Sequence, residues 1–146
     1  MRPEDALPLD LMRRMAGGFN KFIDEWYDQM DHHRDDLLRK AKGEPILEEY
    51  FGGPDGAGQL GEDLDQACGR ALSRYRELAP RVTPKEEALF CYMAMRMDNE
   101  SIRRLLRLEK RSTASLRKTR LADKVEQLKP PHREELLELI GRPKKR

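Results

Sequence analysis

Nine cations fall between residues 103 and 124: Arg103, Arg104, Arg107, Lys110, Arg111, Arg117, Lys118, Arg120 and Lys124. Guanidinium and ammonium groups at this density pair with phosphate oxygens. Short polar side chains are interleaved with them, at Ser112, Thr113 and Ser115. Hydroxyls and forked cations of this kind read base edges by hydrogen bonding. The chemistry on offer is recognition rather than bond-making. Cys68 and Cys91 lie in separate segments, and no Ser/His/Asp or Cys/His arrangement is present. No enzyme activity and no cofactor are expected. The run Asp31-His32-His33-Arg34-Asp35-Asp36 offers i, i+4 pairs on a helix. A closed metal site needs three or four converging ligands, and the run has none beyond itself, so no metal is expected.

The elements that must position these residues are helical throughout. Valine occurs only at Val82 and Val125, no stretch alternates with period two, and Leu, Met, Glu, Lys and Arg dominate. Thr83-Pro84-Lys85-Glu86 is a capping box with proline at the first helical position. There the Thr83 hydroxyl should accept from an early N–H, and Glu86 should reach back. That helix should run to about Met97. Asp98 can cap a second helix with Ile102, Leu105 and Leu106 on its apolar face. After a turn near Leu108 to Arg111, Ser112 or Thr113 can cap a third helix, with Leu116, Leu121 and Val125 in the core. A last helix, Pro131 to Ile140, should stop at Gly141, ahead of a basic tail ending in Lys144-Lys145-Arg146. Two short helices joined by a brief turn, on a capped support helix, is the helix-turn-helix plan.

Upstream, apolar residues from Met12 through Trp26 alternate at three and four, and Met30, His33 and Leu37 extend the seam. Gly17-Gly18 interrupts it, so either the helix ends near Ala16 and restarts at Asn20, or one helix tolerates the weak point. Gly52 to Gly61 holds five glycines and a proline and reads as a flexible joint; it lacks the lysine of a phosphate loop. Glu62 to Leu78 reads as one amphipathic helix carrying Leu64, Ala67, Cys68, Ala71, Leu72 and Tyr75. The expected organisation is all-α. Residues 1–51 form a helical arm with a coiled-coil seam for dimerisation, 52–61 a Gly-rich linker, and 62–146 a helix-turn-helix domain.

Composition agrees. Hydrophobic and charged residues are each 38% of 146 residues, against the usual ~45–50% and ~25%, so the core should be thin. The longest charge-free apolar run is Ala88 to Met95, far short of the roughly 20 residues of a membrane span. The first residues show no signal-peptide core. Two unpaired cysteines suit a reducing cytoplasm. Residues 1–80 carry 11 Lys+Arg against 17 Asp+Glu, a net of −6; residues 81–146 carry 18 against 10, a net of +8. Such asymmetry points to a nucleic-acid partner for the second half.

The quoted segments also resemble a known family. Val82-Thr83-Pro84-Lys85-Glu86, Asn99-Glu100-Ser101-Ile102, Ser112-Thr113, Arg120-Leu121 and Lys124-Val125 look like the C-terminal helix-turn-helix of LuxR-type regulators, particularly the variant closing many Bacteroidetes regulators. The same stretch is similar to sigma-factor region 4. The resemblance covers about residues 80–128 and implies a four-helix, often dimeric DNA-binding domain with its third helix in the major groove. Three positions depart from the family pattern: Arg103 stands where Ala is usual, Ser101 where Glu is usual, and the turn between Leu108 and Thr113 is one residue longer.

The function these features imply is sequence-specific binding of double-stranded DNA in bacterial transcription regulation. The chain would act in the cytoplasm, at the nucleoid, as a homodimer through the Met12–Leu37 seam. The rival is a protein-interaction adaptor, with a degenerate helix-turn-helix docking on a partner such as RNA polymerase. No membrane association is expected.

Overall fold

The charge-free run from Ala88 to Met95 is the centre of the molecule: every one of its residues is buried. A segment apolar on all sides is stable only when enclosed by other elements. The computed structural model describes residues 9–32 and 44–141, with side chains from 9–25 and 47–141. Among these residues there are eight helices and no β-strand: α1 Leu9–His32, α2 Glu44–Phe51, α3 Gly58–Ala67, α4 Ala71–Leu78, α5 Pro84–Ala94, α6 Asn99–Leu105, α7 Arg111–Glu126 and α8 His132–Ile140. The all-α class is as expected. Helices α3, α4, α7 and α8 surround α5. Tyr75 of α4 stacks on Phe90 at 4.7 Å, and the Tyr92 hydroxyl donates to the Phe51 carbonyl at the end of α2. No helix among the described residues is long and apolar enough to cross a membrane.

The first helix is continuous through Gly17-Gly18 and is not a free arm. Met12, Ala16 and Ile23 are buried in the same core as α5. Phe19 meets Phe51 edge-on at 5.3 Å. Arg13 donates to the Ala94 and Leu139 carbonyls at 2.9 and 3.1 Å. Helix α1 packs along α6, where the Ser101 hydroxyl donates to the Asn20 carbonyl. The expected seam therefore divides, with Met12 and Phe19 turned toward their own chain. Leu11, Met15 and Phe22 lie on the outer side, each over 40% exposed. The extension through His33 and Leu37, the His33–Asp36 part of the declined metal run and the tail Pro143–Arg146 lie outside the described residues.

Two further expectations change. Residues 52–61 are an ordered turn rather than a flexible joint. Gly53 and Gly56 exchange backbone hydrogen bonds at 2.8 and 3.2 Å, and residues 58–61 are already the first turn of α3, with Leu60 and Gly61 buried. Gly52 and Gly58 hold φ of +69° and +60°, a region that costs other residues a Cβ clash. A Cβ on Gly58 would sit 2.6 Å from the Glu49 carbonyl oxygen. The expected division at 52–61 thus runs through one shared core. The single helix expected over Glu62–Leu78 is two. It breaks at Gly69 and Arg70, both left-handed, because Asp65 turns its carboxylate onto the start of α4. One oxygen accepts from the Leu72 and Ser73 amides at 2.8 and 3.1 Å, the other from the Ser73 hydroxyl. An end cap taken from seven residues upstream replaces the missing local cap.

Candidate nucleic-acid interface

Helices α5, α6 and α7 stand in the expected order, and local hydrogen bonds explain their ends. Thr83 Oγ1 accepts from the Glu86 amide at 3.1 Å, and the Asp98 carboxylate accepts from the Ser101 amide at 2.7 Å. Both α5 and α6 stop with an arginine in the left-handed position, Arg96 at φ +62° and Arg107 at φ +57°. In each case the following amide bonds back five residues: Met97 to the Tyr92 carbonyl, Leu108 to the Arg103 carbonyl. This is the Schellman termination, and it ends α5 at Ala94, short of the expected Met97. The third helix starts earlier than expected. Its N-cap is Lys110, in extended conformation and without a side-chain bond, so Ser112 and Thr113 lie within the first turn.

The start of α7 and its packing together decide which face is turned outward. Ala114, Leu121, Ala122 and Val125 are buried against α5, α6 and α8. Leu116, expected in the core, is 48% exposed. At 100° per residue it points opposite Ala114 and Val125. The outer ridge of α7 is Ser112, Ser115, Leu116 and Arg120, with the half-buried Thr119 beside them. Arg111 and Lys110 lie exposed at its N-terminal end.

The expected cations divide into two groups. Arg103 pairs with Glu100 and also reaches the Leu108 carbonyl. Arg104 lies 3.5 Å from Glu100 and 3.8 Å from Asp24 of α1, with only 13% of its side chain exposed. Arg107 pairs with Glu48 of α2 at 2.7 Å. Lys118 is half-buried and donates to the Asn99 side chain at 3.0 Å; burial pushes its pKa down, against the pull of Asp98. Lys124 pairs with Glu86 at 2.8 Å. That pairing also revises the capping box, because the Glu86 carboxylate serves Lys124 and the Tyr75 hydroxyl. These five cations, expected as contacts to a ligand, are engaged within the fold. Lys110, Arg111, Arg117 and Arg120 stay at or near the surface, with Arg111 3.6 Å from Glu100 and 72% exposed.

Two concavities flank the outer ridge. One, about 400 Å³, lies between the start of α6 and Arg111, Ser112 and Ser115. The other, about 250 Å³, lies between the start of α5 and Arg117, Arg120 and Lys124. Sequence reasoning missed Lys85 on the second, although its place inside the capping box was a usable signal. It also missed Leu116 as a surface residue, although helical spacing sets Leu116 opposite Val125 and was a usable signal. A further concavity, about 480 Å³, lies away from α7, at the Gly52–Gly58 turn, where the Arg107–Glu48 pair lines it.

Neither cysteine lines either of the two concavities that flank the ridge. Cys91 is fully buried and Cys68 half-buried, and burial raises both thiol pKa values. Among the described residues no three His, Cys, Asp or Glu side chains converge. Comparison with known protein families, with curated proteins and with solved structures finds no match.

Proposed function

We propose that the chain is a sequence-specific DNA-binding regulator of bacterial transcription, of LuxR-like helix-turn-helix type, acting in the cytoplasm as a homodimer. One observation carries this reading: the solvent-facing ridge of α7 is made of Ser112, Ser115 and Leu116, with the half-buried Thr119 beside them, Arg111 at one edge and Arg120 at the other. An α-helix fits the major groove. Hydroxyls there would take base edges, the Leu116 side chain would meet a thymine methyl, and flanking cations would face the two phosphate backbones. Three arginines first assigned to phosphate, Arg103, Arg104 and Arg107, serve instead to hold α6 to α1, to α2 and to its own first turn. The second copy would pair along the outer side of α1, at Leu11, Met15 and Phe22.

Selection from a randomised duplex pool, followed by fluorescence anisotropy across a salt series, tests the reading. A recovered motif and a salt slope lowered by about one unit in Arg120→Ala support it. No binding at tens of micromolar and low salt sinks it.

The adaptor reading keeps one observation of its own. Leu116 at the middle of the ridge, together with the internal neutralisation of Arg104 and Arg107 by Asp24 and Glu48, also suits a protein partner such as RNA polymerase. Capture of that partner without DNA, abolished by Leu116→Glu, would favour it.

A further inference from the structure

We propose that the concavity between the start of α5 and the flank of α7 is a discrete binding site for a phosphate group. Arg117, Arg120 and Lys124 recur at i, i+3 and i+7, so one side of α7 carries all three. Lys85 and Glu86 line the opposite wall, in the first turn of α5. The lining holds four cations and one carboxylate. That carboxylate is spoken for: Glu86 Oε2 accepts from Lys124 at 2.8 Å and from the Tyr75 hydroxyl at 3.3 Å. Lys85, Arg117 and Arg120 then remain, and among the described residues no carboxylate pairs with any of them.

Arg117 supplies the second observation. Its Nε is buried and has no hydrogen-bond partner among the described residues. A buried N–H donor without an acceptor is costly, and a small turn of the Arg117 guanidinium toward an anion in the concavity it lines would satisfy it. The end of α5 adds the positive partial charge of a helix N-terminus. Three uncompensated cations around one concavity favour a dianion over a carboxylate or a halide, and guanidinium forks match phosphate oxygens in pairs. At about 250 Å³ the space falls below the roughly 300–1,000 Å³ of pockets that enclose a whole organic ligand. It takes the phosphate group and leaves the rest of the molecule outside. The group comes either from a nucleic-acid backbone or from a free phosphorylated compound. The site does not depend on how the outer ridge of α7 is read.

The test is a titration of the full-length, ¹⁵N-labelled chain with inorganic phosphate, ionic strength being held constant with chloride. The Arg117 Nε–H resonance and the Lys85 and Glu86 amides are followed. Saturable shifts at these groups are expected, weakened about tenfold or more in Arg120→Gln and in Lys85→Gln. Both replacements lie at or near the surface, and the chloride control on the parent needs no variant. Shifts that grow without saturation and match those from chloride overturn the proposal, as do variants that titrate like the parent. Adding duplex DNA at saturating phosphate then identifies the source. Displacement of phosphate assigns the site to a backbone phosphate; retention beside bound duplex assigns it to a free phosphorylated ligand. Both outcomes support the site. A chain that takes phosphate saturably but binds no duplex would fail the DNA reading and leave the site standing.

Discussion

The Lys124 ammonium lies 2.8 Å from the Glu86 carboxylate, 38 residues away in sequence, and joins the last turns of α7 to the first turn of α5. The pair is mostly shielded, with 23% and 30% of the side chains exposed, and Tyr75 donates to the same oxygen. Lys124→Met should therefore destabilise the fold by about 1 kcal/mol. Glu86→Gln should cost a similar amount, and the double replacement less than the sum. Urea unfolding of the four proteins checks this. Additive losses would mean that the two charges do not interact.

Leu116 and Leu121 test the rotation of α7 about its axis. Leu121 is 3% exposed and Leu116 is 48% exposed. Leu121→Ala should cost about 2–5 kcal/mol, and Leu116→Ala should stay within about 0.5 kcal/mol. Thermal or chemical denaturation separates them. Equal, large losses would return Leu116 to the core.

Two glycines should respond to alanine with opposite signs. Gly18 lies in α1 with nothing within 4 Å of an added Cβ, so Gly18→Ala should stabilise by about 0.5–1 kcal/mol. Gly58 is left-handed, and its Cβ would press on the Glu49 carbonyl and the Gly52 amide at 2.6 and 2.8 Å. Gly58→Ala should destabilise by more than about 1 kcal/mol. A neutral Gly58→Ala would restore the flexible joint.

Stability should fall in alkaline solution. Burial, with the charge of Asp63 and the hydrogen bond to it, pushes the Tyr50 pKa up to about 12 from its ordinary 10. Between those values the unfolded chain has lost the phenolic proton and the folded chain has kept it. The unfolded state then binds fewer protons, and stability declines as pH rises. Tyr75, raised by burial and by Glu86, acts in the same direction. The drop in urea midpoint between about pH 9 and about pH 11 should therefore be smaller, though still present, in Tyr50→Phe. An identical drop in both proteins would contradict the assignment to Tyr50.

The outer side of α1 should hold the proposed dimer. Sedimentation of Leu11→Glu/Met15→Glu should give a monomer where the parent is a dimer, with little loss of stability because both positions are over 40% exposed. An unchanged dimer would place the contact elsewhere.

What the sequence determined by itself was whatever depends on neighbours three or four residues away. The Thr83 and Asp98 caps, the Gly141 stop at φ +67° and the all-α class follow from bonds of that range. The charge-free run 88–95 was equally legible as core, since an uncharged segment has nowhere else to go. Tertiary structure decided the rest, because the deciding partners are remote. Met12, Met15, Phe19 and Phe22 formed a seam on paper, and only the surfaces of α2, α5 and α6 show that Met12 and Phe19 close on their own chain while Met15 and Phe22 stay outside. The split between α3 and α4 depends on an Asp65 carboxylate that reaches forward seven and eight residues. Leu116 and Ala114 are both apolar enough for the core. Packing against α5, α6 and α8 selects the smaller residue, because close approach of helices favours a short side chain. The cations were countable from the start. Arg103 is held by Glu100, three residues away, but Arg104, Arg107 and Lys124 meet Asp24, Glu48 and Glu86, lying 38 to 80 residues upstream. Charge pairing across such distances leaves no periodic trace in a sequence, because it is set by where folded surfaces meet.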